Sequence, residues 1–402
     1  MSYKAVDQLA VAGRRVFVRV DFNVPRDKGK GASGGAKAIA DDTRIREALP
    51  TIQYLLDNKA KIILASHLGR PKGRDAQESL EGVAERLAEL IGREVTFPED
   101  CVGDAVKKLV HEMREGDVIL LENLRFHKEE EANDPQFAQA LAQLAEVYVN
   151  DAFGTLHRAH ASTSAMVKHF REKGIGLLVK KELEFLSPLL TKPARPYYAV
   201  LGGAKVSDKI GLIENLIYKV DGLLLGGGLA YTFLRAKGEE IGTSKLEPEK
   251  LHLAAKILQN AKDQGVPVYL PTDHKVSDRA APDAKARVVK TIAYNEMGLD
   301  LGPETVRRYT EVLSGAKTIF WNGPMGVFEL PAFAEGSSAI ARAIASASEK
   351  NEAVSIVGGG ESLAAVHMSG VAAHITHLST GGGATLAFLE GKELPGLKAL
   401  EM

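Results

Sequence analysis

At 402 residues the chain is too long for one ordinary core and fits two domains of typical size. Hydrophobic residues at 45% and charged residues at 26% exclude a disordered or fibrous protein, and a formal net charge of -1 gives no global attraction to nucleic acid or an anionic membrane. Cys101, the single cysteine, cannot form an intrachain disulfide, the segment Met1 to Val11 lacks a signal peptide's apolar run, and no stretch reaches the roughly 18 apolar residues of a membrane span, so a soluble cytoplasmic protein is expected.

Short β-rich runs alternate with amphipathic helical patterns along the chain. Strands are expected at 15–20, 61–65, 117–121 and 146–149, with helices over 79–91 and 135–145. The segment 28–37 is rich in Gly and Lys, has no apolar periodicity, and reads as a mobile surface loop. Near the middle, Gly174 and Gly176 precede a charged helical run over 177–190, which Pro193 and Pro196 terminate. That run reads as a long helix joining two domains. Further strands are expected at 197–201, 222–225, 267–270, 318–320, 354–357 and 375–378. Alternation of this kind predicts parallel sheets covered by helices on both faces.

In open α/β sheets, ligands bind beyond the carboxyl ends of the strands. In the first half, Arg19 sits at the last turn of one strand, which runs into Asp21 and Asn23. Other strand ends and the start of the following helix deliver Arg44, His67, Arg70, Arg125, Arg158 and His160 toward the same edge. Arginine's planar fork binds phosphate or carboxylate bidentately, so a ring of forks in a nearly neutral protein implies a small, multiply charged anion. In the second half the strand ends are glycine-rich instead: Gly202-Gly203, Gly226 to Gly228, Gly323 to Gly326, Gly358 to Gly360, and Gly381 to Gly383. Such loops let backbone N–H groups approach an anion, and Lys205 and Lys209 flank the first of them, which suits a nucleotide.

No G-x-x-x-x-G-K-[ST] motif is present, and no G-x-G-x-x-G opens either domain, which argues against a P-loop enzyme and against a dinucleotide dehydrogenase. A non-enzymatic binding module would leave unexplained why the arginines and the glycine loops sit on two domains joined by a helix. Cys101 lacks a cationic or helix-start setting and reads as an inert core or surface thiol. The histidines do not fall at metal-ligand spacing, so no zinc site is expected; His374 and His377 flank a strand and either pack or face solvent.

The chain resembles the phosphoglycerate kinase family over essentially its whole length. The matching segments are Arg19-Val-Asp-Phe-Asn-Val-Pro25, Asp42-Thr-Arg-Ile45, Ser66-His-Leu-Gly-Arg-Pro71, Glu122-Asn-Leu-Arg125, Asp151-Ala-Phe-Gly-Thr155, Gly202-Gly-Ala-Lys-Val-Ser-Asp-Lys209, Gly298-Leu-Asp-Leu-Gly-Pro303, Trp321-Asn-Gly-Pro-Met-Gly-Val-Phe-Glu329 and Ser379-Thr-Gly-Gly-Gly383. The resemblance implies two doubly wound parallel-sheet (Rossmann-like) domains joined by a long helix, with a cleft between them. Residues 1–177, together with a C-terminal segment 381–402, would bind the triose acid. Residues 178–195 would form the connecting helix and linker, and 196–380 would bind nucleotide, with Ser379 to Gly381 as part of a hinge.

Carried across motif by motif, Asp21, Asn23, Arg44, His67, Gly69, Arg70, Arg125 and Arg158 would hold 3-phosphoglycerate or 1,3-bisphosphoglycerate. Lys205, Lys209, Gly298, Glu329, Gly359, Gly360, Glu361 and Ser362 would hold ADP or ATP with Mg²⁺. Arg44 and Lys205 would stabilise charge on the transferring phosphoryl group. The implied reaction is 1,3-bisphosphoglycerate + ADP = 3-phosphoglycerate + ATP, catalysed by a hinge-bending monomer without nucleic-acid or membrane partners. Two departures stand out. Glu361 replaces the family's usual aspartate, and its extra methylene leaves the metal held mainly through nucleotide phosphates. The loop from Pro25 to Asp41 is also longer than usual.

Overall fold

The structure is a computed structural model that describes residues 3–26 and 39–401; the Lys28–Lys37 loop lies outside them. The chain divides into two compact units, Met1–Glu184 with Glu393–Met402, and Phe185–Lys392.

The first unit is built on strands β1 (Arg15–Val20), β2 (Lys61–Ala65), β3 (Val118–Leu120), β4 (Val147–Asp151) and β5 (Glu172–Ile175). They form one all-parallel sheet in the order β3-β2-β1-β4-β5. The strands are buried along nearly their whole length, as expected for a parallel sheet covered on both faces. Val16, Val18 and Val20 enter one core cluster with Ile62, Leu64, Val147 and Val149. The alternate β1 residues Phe17 and Arg19 point the other way, where Phe17 stacks on Tyr148 at 6.0 Å. Strand β5 was not expected from sequence, because four residues containing a glycine give little strand signal. It is an edge strand, and backbone from the N-terminal segment covers it: Ile175 N–H donates to Lys4 O at 2.9 Å, and a Cβ on Gly174 would lie 2.4 Å from that oxygen.

The second unit carries β6 (Tyr197–Leu201), β7 (Gly222–Leu225), β8 (Val268–Tyr269), β9 (His274–Ser277), β10 (Arg287–Val289), β11 (Met297–Leu301), β12 (Thr318–Asn322), β13 (Val354–Gly358) and β14 (His377–Ser379). Six of these make a parallel sheet in the order β14-β13-β12-β6-β7-β8. Numbered within its own unit, each sheet winds outward first one way and then the other. The winding reverses between β1 and β4 in the first unit, and between β6 and β12 in the second. These switch points are where a doubly wound sheet opens a crevice for a ligand. Strands β9, β10 and β11 form a separate antiparallel sheet, in the order β10-β9-β11, that the alternation of strands and helices did not predict. Its strands are short and mix charged with apolar residues, and β11 carries a register shift between Gly298 and Asp300.

The expected long helix runs Leu177–Thr191, and the division between the units falls inside it. Buried Asp151, at the end of β4, accepts from the N–H groups of Leu178 (3.0 Å) and Val179 (3.3 Å), satisfying donors that a helix start leaves free. At the other end of the chain, the helix Gly383–Leu389 belongs to the second unit. It packs on the helix Ile210–Leu216, where Asn215 Nδ2 donates to Leu389 O at 2.6 Å. The return to the first unit therefore begins at Glu393 and not near residue 381. Gly396 N–H there bonds to Leu156 O at 3.0 Å, and Lys173 Nζ bonds to Ala399 O at 2.7 Å. Among the described residues no helix is long and apolar enough to cross a membrane.

Candidate active site

At the β1/β4 switch point the first unit gathers four arginines around one histidine. Arg19 is 1% exposed although it carries a charge. Its Nε donates to Ser162 Oγ at 2.8 Å, and Ser162 Oγ donates to Glu130 at 2.5 Å, while Ser162 N–H donates to the other Glu130 oxygen at 2.9 Å. Arg19 also bonds through NH1 to Val20 O. Glu130 is fully buried, and burial raises its carboxyl while Arg19, Ser162 and Arg125 pull it down. Arg19 and Glu130 thus face each other across one hydroxyl, a paired arrangement that buried charges require. Neither Glu130 nor Ser162 was singled out in the sequence, where Glu130 lies within a solvated-looking acidic run.

The loops after the strands are tied together by buried polar groups. Arg19 NH2 lies 3.2 Å from His67 Nδ1. Arginine only donates, so Nδ1 accepts and Nε2 carries the proton of a neutral ring. Burial first, and then Arg19, Arg125, Arg158 and Arg44, hold the His67 pKa well below 6.5, which keeps the ring neutral. Burial and the same arginine group, without Arg44, push His160 down to about 4. Arg44, on the first turn of the helix Thr43–Asp57, donates to Asp21 Oδ2 at 2.9 Å. Arg125 donates to Gly69 O at 2.7 Å; its buried Nε makes no hydrogen bond, although Glu131 lies 3.1 Å away. Arg158 Nε donates to His157 Nε2 at 3.2 Å.

Asn23 and Asn123 fix the loop that carries His67. Gly69 N–H donates to Asn23 Oδ1 at 2.9 Å, and Leu68 N–H and Arg125 N–H both donate to Asn123 Oδ1, at 3.1 and 3.0 Å. Gly69 adopts φ +63°, a left-handed conformation that favours glycine, and a Cβ there would also displace the Glu78 carboxylate, 2.0 Å away. Arg70, on the same loop as His67 and Gly69, is exposed.

The second unit presents a cavity of about 360 Å³ at the ends of its strands. Its lining includes Gly203, Gly228, Gly298, Glu329 and Glu361. Lys209 is buried and bonds through Nζ to Asn322 Oδ1 at the end of β12, and burial lowers its pKa while Asp208 and Glu361 raise it. Exposed Lys205 and exposed Glu361 stand at the loop after β6 and on the first turn of the helix Gly360–Met368. Ser362 Oγ on that turn accepts from Gly323 N–H at 2.6 Å, and Gly359 holds the turn open at φ +93°.

Several glycines here serve the packing of loop on loop as much as any ligand. A Cβ on Gly323 would meet Gly202 O at 2.3 Å, and one on Gly227 would meet Gly203 N at 2.7 Å. Gly298 lies where a Cβ would fall 2.0 Å from the Tyr231 hydroxyl.

Beneath the cavity, buried Asp300 accepts from Gly336 N–H at 2.8 Å, and a Cβ on Gly326 or Gly336 would strike its Oδ1. Burial pushes its carboxyl from 3.8 up to about 7. The folded protein therefore keeps a proton that the unfolded chain has lost, so stability from this group falls as pH rises between those values and levels off above them. Asp300→Asn is expected to flatten that part of the pH dependence of the urea midpoint. Equal slopes in parent and variant would remove Asp300 as its source.

With this geometry in view, the comparisons agree. The family profile described as phosphoglycerate kinase matches residues 6–392. The phosphoglycerate kinase of Acidobacterium capsulatum is 52% identical over 410 residues, covering 100% of this chain and 99% of that one. That of Dictyoglomus turgidum is 54% identical over 392 residues, covering 97% and 96%. Among solved structures, the Coxiella burnetii phosphoglycerate kinase matches with a TM-score of 0.88 at 40% identity, covering 99% of both chains. The Pyrococcus horikoshii enzyme matches at 0.83 and 32%, covering 98% of both. At these identities over the full length, the chain belongs to the phosphoglycerate kinase family and is a phosphotransferase, a glycolytic kinase.

Proposed function

We propose that the first unit binds the triose acid, 3-phosphoglycerate or 1,3-bisphosphoglycerate, through Asp21, Asn23, Arg44, His67, Gly69, Arg70, Arg125 and Arg158. The observation that carries this is the gathering of Arg19, Arg44, Arg125 and Arg158 about a neutral His67 at the switch point of the sheet. A small dianion placed there meets several guanidinium forks in a partly desolvated basin, where each charge-assisted bond is strong. Asp21 holds the Arg44 fork in place before the ligand arrives, and Asn23 and Gly69 shape the loop. Arg19, enclosed and with each guanidinium nitrogen hydrogen-bonded within the unit, orients His67 and stabilises the basin without touching ligand.

The second unit takes ADP or ATP in its cavity, with Lys205, Lys209, Gly298, Glu329, Gly359, Gly360, Glu361 and Ser362 around it. Two carboxylates, Glu329 and Glu361, line that cavity, a donor set that fits Mg²⁺, which keeps several waters and shares phosphate oxygens with few protein ligands. When bound, the ion neutralises phosphate charge and orients the chain of phosphates. Glu361 reaches it mainly by way of the nucleotide.

Phosphoryl transfer asks the protein chiefly for alignment and for compensation of charge on the equatorial oxygens. In the ATP-forming direction the ADP β-phosphate is already an anionic nucleophile, so no general base is needed. Arg44 and Lys205 stabilise the group in transit. Residues of both units must close on the two ligands and exclude water from the acyl phosphate, with Ser379 to Gly381 acting in the hinge. The near-neutral net charge and the unpaired Cys101 support a cytoplasmic enzyme with neither nucleic acid nor membrane as partner, and the family resemblance supports a monomer.

The test is a coupled assay with purified protein, 3-phosphoglycerate, MgATP and excess glyceraldehyde-3-phosphate dehydrogenase, following NADH oxidation. Turnover that requires both substrates and Mg²⁺ is expected. None, with the coupling enzyme active, would sink the reaction for this chain.

A further inference from the structure

Outside the anion basin, the first unit brings His127 up to the adjacent residues Asp100 and Cys101. Asp100, Cys101 and His127 each offer one ligand atom, and these atoms lie within 4.8 Å of one another. His127 Nε2 is 2.7 Å from Asp100 Oδ1, and its ring stacks on Phe137 at 5.1 Å, which limits its rotation. Cys101 N–H donates to Asp100 Oδ1 at 2.6 Å, so the carboxylate is fixed from the backbone side as well. The thiol is buried, whereas the Asp100 and His127 side chains are 40% and 27% exposed and open the cluster to solvent.

We propose that Asp100, Cys101 and His127 bind one thiophilic divalent cation of the Zn²⁺ class, with water in the fourth position. One sulfur, one imidazole nitrogen and one carboxylate oxygen form a donor set that such an ion accepts. Metal–ligand lengths of about 2.0–2.3 Å place tetrahedral ligand atoms roughly 3.3–3.6 Å apart. The imidazole and carboxylate need only part by under about 1 Å to admit the ion, starting from their 2.7 Å contact. Binding forms the metal–sulfur bond and releases the thiol proton to water, so affinity rises with pH. The ion would replace a single hydrogen bond with coordination bonds between two segments, one of which ends two residues beyond Arg125.

The full chain, stripped of metal with a chelator, is titrated with Co²⁺ as the spectroscopic probe. The expected result is one equivalent bound, with a thiolate-to-metal charge-transfer band in the near ultraviolet, lost on adding one equivalent of Zn²⁺. The chain has one cysteine, so the band can arise only from Cys101, and Cys101→Ser should abolish it. Asp100→Asn and His127→Gln alter part-exposed side chains and leave the core filled. Each should weaken Co²⁺ binding at least about tenfold, since even partners outside a metal's ligand set are worth that much. Absence of the thiolate band at saturating Co²⁺, or a band whose midpoint neither variant moves, would overturn the site. Cobalt held by other histidines would give visible bands without the thiolate feature, and would count against it too.

Discussion

Replacing Arg44 with alanine will lower kcat by at least about a hundredfold, the usual cost of losing a donor aimed at transition-state charge. The argument starts from position: Arg44 lies on the first turn of the helix Thr43–Asp57, and its guanidinium is held by Asp21 at 2.9 Å. The side chain is 36% exposed, so the ion pair itself contributes no more than about 1 kcal/mol and the fold should survive its loss. Thermal unfolding should therefore change little while turnover collapses. Arg44→Lys should recover only part of the rate, because a point charge cannot reproduce the planar fork. A variant with near-normal kcat in the coupled assay would refute the role.

The second large effect is on stability. Arg19→Leu should destabilise the first unit by about 3–5 kcal/mol, because Glu130 and its Ser162 bridge are left as an uncompensated buried group. The loss should shrink as pH falls, since burial already raises the Glu130 carboxyl and protonation removes its charge. Adding Glu130→Gln should recover part of the deficit at neutral pH. Circular dichroism during urea unfolding is the appropriate readout, since the only tryptophan, Trp321, lies in the other unit. A loss under about 1 kcal/mol would mean that Glu130 does not depend on Arg19 for its charge compensation.

Much of this protein was legible in one dimension. Strands β1, β2, β6 and β7 have the expected bounds, because parallel strands buried on both faces leave continuous apolar runs that end abruptly in turn residues. The arginine ring was legible for a related reason: in a doubly wound sheet every strand delivers its following loop to the same edge. Arg44, His67, Arg125 and Arg158 could therefore be expected at one edge, and the arginines among them act together on the buried His67 ring.

The amino-acid sequence by itself determined the alternating architecture, the family, and which residue types line each strand edge, since these follow from periodicity and from motifs local in the chain. Tertiary structure decided what depends on contacts between distant segments. It set Glu130 against Arg19 through Ser162, covered β5 with the N-terminal segment, and gave Gly227 and Gly323 a packing duty where backbone touches backbone. It also brought His127 to Asp100 and Cys101, 27 and 26 positions away in the chain, which no ligand-spacing rule could anticipate. Burial and charge pairing are properties of neighbours in space, and only the folded chain chooses those neighbours.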